Sequence, residues 1–177
     1  MWTLYTDNEV TVRELIVKQW QQSGKNRTLV EIFKGVLVVA NLPKTHSAST
    51  YVSTENDKSG FAHKTFWSDL FSLNKVEETE LEWNDFENDL HVASDDPSAA
   101  REILTPDFML DLHDWWLEHK LNMRIAFRGD KMYMLLPESS VRISSTTLSK
   151  KPDNIKKYAW SIVRPIWRSL MLLEDIT

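Results

Sequence analysis

The N-terminal quarter of the chain carries runs of β-branched and aromatic residues that predict two paired strands. Glu9–Gln22 is rich in such residues and predicts a long strand. Ser23–Asn26 has turn chemistry, and a second run follows over Arg27–Leu42. Its centre, 29–39, is nearly continuous in apolar character, which is typical of a strand buried on both faces. The two runs therefore predict a hairpin.

Five shorter segments predict the rest of the sheet: 50–54, 77–83, 90–93, 122–127 and 131–136. Asn84-Asp85 is expected to form a turn after the second of these runs. Arg128-Gly129-Asp130 lies between the last two runs and predicts a second hairpin there.

Three segments predict helices. Asp96-Pro97 begins a short one, because aspartate accepts from the free amides of a first turn and proline loses nothing at the first helical position. Thr105-Pro106-Asp107 repeats that signal for a longer helix running to about Lys120. A third helix is predicted from Asn154 to about Asp175, with its apolar residues on one stripe and a kink at Pro165.

This order of elements predicts an α+β fold rather than alternating βαβ units. We expect an antiparallel sheet of about six to seven strands, two inserted helices and a long C-terminal helix packed on the sheet. The length, 177 residues, favours a single globular domain over 1–177. A composition of 42% hydrophobic and 27% charged residues favours a folded chain over a disordered one.

Charge and cysteine content narrow the function classes. The net charge of −5, with no large basic patch visible in the sequence, argues against nucleic-acid binding. Without cysteine the chain forms no disulfide, thiolate nucleophile or zinc–thiolate site. No secretory signal is visible, and the longest apolar run, 35–40, is far shorter than a membrane span. We therefore expect a soluble protein.

No motif for catalysis, cofactor binding or metal binding is present. The five histidines lack the spacing of a metal site, and the chain has neither a GxSxG motif nor a glycine-rich phosphate loop. We therefore predict no catalytic, cofactor-binding or metal-binding residue. A hydrolase whose carboxylates meet only in the fold stays open as an alternative.

The helix from Thr105 supplies the candidate partner-binding residues: Trp115, Trp116, Asp111, Asp114 and Glu118. With Asp107, these acids fall within about 60° of one another around the helix. Such a face is suited to a cation or a basic partner, and a merely solvated face with acids near the helix N-terminus explains it as well. Adjacent indoles diverge by about 100°, so either the helix lies between two packing surfaces or one tryptophan faces a partner. His119, on the apolar side, is expected to be a hydrogen-bonded histidine at the core edge.

The predicted C-terminal helix carries a basic edge beside a broad apolar face. Lys157, Arg164 and Arg168 share that edge. It is suited to a membrane surface or an acidic helix, and core packing with a basic rim explains it equally well.

Three segments resemble a bacterial family known as domain of unknown function 3137. They are Ile32–Lys44 (IFKGVLVVANLPK), Leu81–Glu87 (LEWNDFE) and Val92–Met109 (VASDDPSAAREILTPDFM). Ala99 and Glu102 depart from the acid and the tyrosine usual at those positions in the family. The resemblance implies a bacterial, cytoplasmic setting, with membrane-spanning segments ahead of the domain in longer relatives. It implies no activity.

Together these features favour a non-catalytic binding or interaction module without cofactor. Its partner is an unknown protein or a second copy of the chain, and a membrane is expected only through segments outside this chain. The alternatives are a hydrolase with a carboxylate-based site and, more weakly, a peripheral membrane module attached through the C-terminal helix.

Overall fold

A computed structural model of the protein describes residues 2–5, 9–24, 26–54, 77–79, 81, 83–137 and 164. These residues form six strands and three helices. In chain order the elements are β1 (Trp2–Tyr5), β2 (Glu9–Ser23), β3 (Asn26–Thr54), β4 (Glu77–Glu78), α1 (Asn84–Asp89), β5 (Leu90–Ser94), α2 (Pro97–Ile103), α3 (Pro106–His119) and β6 (Arg124–Pro137). The described fold is mostly sheet.

The strands form one antiparallel sheet built around β3. Residues 26–40 of β3 pair with β2, and residues 50–54 pair with β5. β6 runs along β3 from Gly35 to Ser53, so β3 is paired on both edges at residues 35–40 and 50–53. β1 extends the sheet beyond β2, and β4 extends it beyond β5. This arrangement confirms the antiparallel sheet of six strands.

The first hairpin is confirmed, but its second strand is longer than predicted. β2 and β3 pair from Val10 with Ala40 to Ser23 with Asn26. The prediction of a separate strand over 50–54 is wrong, because β3 continues through to Thr54. Between Asn41 and Thr50 the register of β3 against β6 shifts twice, so extra residues bulge outward without ending the strand.

The second hairpin is also a wrong prediction. Arg124–Pro137 is one strand, and both of its halves pair with β3 rather than with each other. Gly129 has a φ of 60° and lies opposite His46, between the two register shifts of β3. Its left-handed backbone therefore bends a continuous strand where the sequence had predicted a turn.

The segment before β5 also differs from the prediction. The strand predicted over 77–83 is limited to Glu77–Glu78, and Asn84-Asp85 begins helix α1 instead of forming a turn. The strand predicted over 90–93 is confirmed as β5.

The two inserted helices begin where the sequence predicts. Asp96 Oδ1 accepts from Ser98 N at 2.9 Å and from Ala99 N at 3.4 Å, which caps α2. Thr105 Oγ1 accepts from Phe108 N at 3.3 Å and caps α3. Beyond His119 the chain leaves α3 through Lys120, which has a left-handed φ of 47°.

The long C-terminal helix predicted over 154–175 is not seen in the described fold. Apart from Arg164, which has helical backbone, that segment lies outside the described residues. The basic edge that the sequence assigns to it therefore stays a prediction.

The sheet is apolar on both faces, as alternating burial along β3 and β6 shows. One face carries Val36, Val38 and Phe127 and packs in one core with residues of all three helices. The other face carries a smaller cluster: Phe33, Tyr51, Ala126 and Leu135, with Leu15, Val17, Leu37 and Tyr133 partly buried against it. Arg124 is buried at the start of β6, and desolvation lowers its pKa to about 10.

Tyr51 lies fully buried in the smaller cluster, and its titration yields a prediction. Burial is the largest cause acting on the pKa of Tyr51 and raises it. Above the ordinary tyrosine pKa of about 10, the unfolded chain therefore loses this proton more readily than the folded chain. The resulting contribution to stability is complete below that pH and declines as the pH rises above it.

We expect Tyr51→Phe to lose less stability than the wild type when the pH is raised above about 10. Urea unfolding of both proteins across a pH series measures this difference, and the contribution of Arg124 is common to both. An identical dependence on pH in the two proteins would contradict the prediction.

Candidate functional site

A groove of about 520 Å³ opens where the segment before α1 meets the corner between α2 and α3. Its lining is mostly apolar, with one cationic and one anionic side chain. The lining residues are Leu81, Trp83, Arg101, Leu104, Pro106, Asp107, Met109 and Leu110. An apolar groove of this kind is a candidate binding site.

One wall of the groove is fixed by α1. The Glu87 side chain accepts a hydrogen bond from the backbone amide of Leu81 through Oε1. The backbone amide of Glu87 donates to the carbonyl of Trp83 at 3.2 Å. Glu87 of α1 therefore holds both lining residues of this wall, Leu81 through its side chain and Trp83 through its backbone amide.

Trp83 is held by ring contacts behind the groove. Its ring lies 5.8 Å from that of Phe86 in a stacked arrangement, and 5.2 Å from that of His113 edge-on. His113 is buried, and its Nε2 lies 2.9 Å from Asp89 Oδ2. This histidine–carboxylate pair positions Trp83 from behind, and neither member belongs to the lining of the groove.

The opposite wall is the corner between α2 and α3. Leu104 follows α2 and is buried, and its backbone amide donates to the carbonyl of Ala100 at 2.8 Å. Pro106 occupies the first turn of α3 directly after the capping residue Thr105. Met109 is buried and Leu110 is 48% exposed, so the groove passes from the core to the outer surface of α3.

The structure buries both predicted interface tryptophans. Trp115 and Trp116 are 5% and 7% exposed. Trp116 Nε1 donates to the carbonyl of Leu121 at 3.1 Å, and Lys120 Nζ lies 3.9 Å from the centre of its ring. The sequence left two arrangements open: a helix between two packing surfaces, or one tryptophan that faces a partner. The burial of both indoles shows the first of these. Substituting either indole would therefore perturb the core.

The predicted acidic residues lie on the surface. Asp111, Asp114 and Glu118 are all exposed, as is Asp107, which also lines the groove. Leu110 and Leu117 are exposed beside them on α3. The acidic face of α3 and the groove therefore meet at Asp107 and Leu110.

His119 behaves as the sequence predicts. Its Nδ1–H donates to the carbonyl of Trp115 at 2.8 Å, and its ring stacks on the Trp115 indole at 4.8 Å. Within the described residues, no group of three histidine or acidic side chains lies close enough together to hold a metal ion.

A match to the family described as "Protein of unknown function (DUF3137)" covers residues 31–164, most of the chain. The chain belongs to the DUF3137 family. This confirms the family that the three sequence segments resemble. All lining residues of the groove except Leu110 lie within two of those segments, 81–87 and 92–109. Sequence analysis missed the groove because these two segments converge only in the fold.

A similarity to one solved structure, the crystal structure of the mycobacterial trehalose monomycolate transport factor A, TtfA, extends over 94% of this chain and 75% of that one. The sequence identity is 8% and the TM-score is 0.43. No curated protein matches the sequence. In the described part of this DUF3137 chain, no helix has the length and apolar character needed to cross a bilayer.

Proposed function

We propose that this DUF3137 domain is a non-catalytic binding module whose groove receives apolar side chains of a partner protein segment flanked by basic residues. One observation carries the proposal: an apolar groove opens directly onto the acidic face of α3. The acids are those named from the sequence, Asp111, Asp114 and Glu118, together with Asp107 at the rim.

The groove is suited to binding because its walls are already in place. Its volume lies within the range of roughly 300–1,000 Å³ usual for ligand sites. Leu104 and Met109 are buried, and Trp83 is held by Phe86 and His113. Since these side chains are ordered before a partner arrives, little conformational entropy is lost on binding. Apolar anchors that enter such a pocket supply most of the binding energy in known interfaces.

The acidic side chains of α3 indicate which residues flank the apolar part of the partner segment. α3 carries four acidic side chains and neither lysine nor arginine between Pro106 and His119. Lys120, just beyond it, lies over the ring of Trp116. The cation of the lining, Arg101, belongs to α2 on the other side of the groove. We therefore place the basic residues of the partner along α3, where they speed association and fix its direction.

A hydrolase needs ionisable groups that converge on one hollow. Among the described residues, the lining of the groove contributes only Arg101 and Asp107 as ionisable side chains, and the His113–Asp89 pair lies outside it. These positions support binding over hydrolysis.

Selection of peptides from a random displayed library tests the proposal. We expect enriched peptides to combine large apolar residues with lysine or arginine, and calorimetry with a synthetic copy to give a dissociation constant. Leu110→Lys should weaken binding by about tenfold or more, because it removes an apolar contact and adds a like charge. Leu117→Lys is the matched control, since Leu117 is an exposed leucine of the same helix outside the groove lining.

Equal weakening by the two variants, or enrichment of acidic peptides, would contradict this function. Sedimentation equilibrium measures whether the chain forms a dimer through the groove. A dimer that Leu110→Lys dissociates would make another copy of this chain the occupant, which contradicts a distinct basic partner.

A further inference from the structure

The far end of the first hairpin is a surface that the proposed function does not use. We call residues 18–31, where β2 turns into β3, the hairpin tip. Lys18–Gln22 and Asn26–Leu29 are exposed at consecutive positions, and therefore on both faces of the ribbon. Within the described residues, β6 pairs with β3 only from Gly35 onward, so the hairpin tip is two-stranded.

A register shift marks where the hairpin tip leaves the body of the sheet. Up to Val17 the pairing is regular, and Leu15 and Val17 pack against the smaller core cluster. From Val17 with Phe33 to Lys18 with Glu31, one extra residue of β3 bulges out. A bulge bends the strand and increases its twist, which turns the following residues away from the packed sheet.

The hairpin tip presents large apolar side chains to solvent. Trp20 is 66% exposed, and its register partner Leu29 is 45% exposed. Ile16, just before the hairpin tip, is 49% exposed and lies on the same side of β2 as Trp20. Among the described residues, these are three of the five large hydrophobic side chains that remain exposed; the others are on α3. Such a concentration at the end of one ribbon marks an interaction surface.

The charge around these side chains is opposite in sign to that of the whole chain. From Arg13 to Lys34 there are five basic and two acidic residues, hence a net charge of +3, against −5 for the chain. Lys18 and Arg27 lie in the exposed strands of the hairpin tip. Exposed apolar side chains with basic residues around them complement a surface whose outer layer is anionic and whose interior is apolar.

We propose that the hairpin tip binds an anionic lipid surface, with Trp20 and Leu29 entering the interfacial region and Lys18 and Arg27 contacting the headgroups. Tryptophan is favoured at that depth because its ring is apolar and its N–H finds polar partners. Basic residues close to an anionic leaflet add to the attraction. A lipid surface fits better than nucleic acid, because aliphatic side chains such as Leu29 gain from burial in the interfacial region, whereas most protein–DNA hydrogen bonds go to phosphate oxygens and sugar. This surface is formed by residues 18–31, whereas the sequence assigned membrane attachment to residues 154–175.

Co-sedimentation of the full chain with vesicles tests this inference. We expect binding to phosphatidylcholine mixed with phosphatidylglycerol, and much weaker binding to phosphatidylcholine alone. Trp20→Ser should lower the partition coefficient by about tenfold or more, since loss of one large apolar side chain changes an equilibrium by that order. Lys18→Gln with Arg27→Gln should weaken binding and reduce its dependence on salt.

Two controls accompany these variants. Leu117→Ser removes an exposed leucine outside the hairpin tip and should bind vesicles as the wild type does. Because Trp20 is exposed, Trp20→Ser should retain the wild-type circular dichroism spectrum.

Equal binding to neutral and anionic vesicles, no binding to either, or wild-type binding by Trp20→Ser would each overturn the inference. Dimerisation that Trp20→Ser abolishes, without vesicle binding, would also overturn it, because the hairpin tip would then be a contact with a second copy.

Discussion

We expect Phe108→Ala to lower the free energy of unfolding by about 3–5 kcal/mol. Phe108 is fully buried in the first turn of α3, and its ring lies 5.9 Å from that of Phe127 at 83°. This edge-to-face pair joins the helix to the first half of β6. Truncation removes the buried ring and leaves a cavity, because neither the capped helix start nor the paired strand moves freely to fill it.

Urea unfolding followed by circular dichroism measures this loss. Leu110→Ala is the control on the same helix, and we expect it to change stability by less than about 1 kcal/mol because Leu110 is 48% exposed. A Phe108→Ala loss as small as that of the control would mean that α3 does not depend on β6 for its position. The groove is lined by the chain neighbours of Phe108, namely Pro106, Asp107 and Met109. We therefore also expect Phe108→Ala to weaken peptide binding.

The starts of the two inserted helices were predictable because their signals are local. Asp96-Pro97 and Thr105-Pro106 each combine an acceptor side chain with a residue that lacks a backbone donor. The structure shows both acceptors bonded to amides of the following turn. Nothing distant in the chain is needed to produce these caps.

The course of β3 and β6 was not predictable from local chemistry. Arg128-Gly129-Asp130 has the composition of a hairpin turn, and so does the polar stretch after Leu42. In the fold these two irregular segments lie opposite each other, with His46 beside Gly129. The bulge of β3 and the bend of β6 are tolerated because the strands pair on both sides of them. Only the partner strand, far away in sequence, decides between a turn and a bulge.

One part of the candidate site was likewise predictable from local sequence, and the other part was not. Helical spacing was enough to predict the acidic face of α3, whose residues lie on one element. The groove needs Leu81 and Trp83 from one segment and Leu104 and Met109 from another. The pairing of His113 with Asp89 joins residues 24 positions apart and has no spacing signal. Burial of both Trp115 and Trp116 likewise depends on what covers each side of the helix.

The second large effect is expected for Gly35→Ala, which should lower the free energy of unfolding by about 3 kcal/mol or more. Gly35 lies in β3 between Leu15 of β2 and Pro137 of β6. A Cβ at this position would clash with the backbone carbonyl of Leu136 and lie 2.9 Å from both Pro137 Cα and Phe33 Cζ. Because two of these three atoms are backbone, a side-chain rotation does not relieve the overlap, and β6 must move away from β3.

Gly129→Ala separates this steric effect from the intrinsic cost of losing a glycine. No atom lies within 4 Å of a Cβ at Gly129, so only its φ of 60° opposes alanine, and a loss of about 1 kcal/mol is expected. Thermal and urea unfolding of both variants should place Gly35→Ala well below Gly129→Ala in stability. If the two losses were equal, the end of β6 would not be held tightly against β3. The second face of the sheet, where the Phe33 ring lies beside Gly35, would then have room for a larger residue.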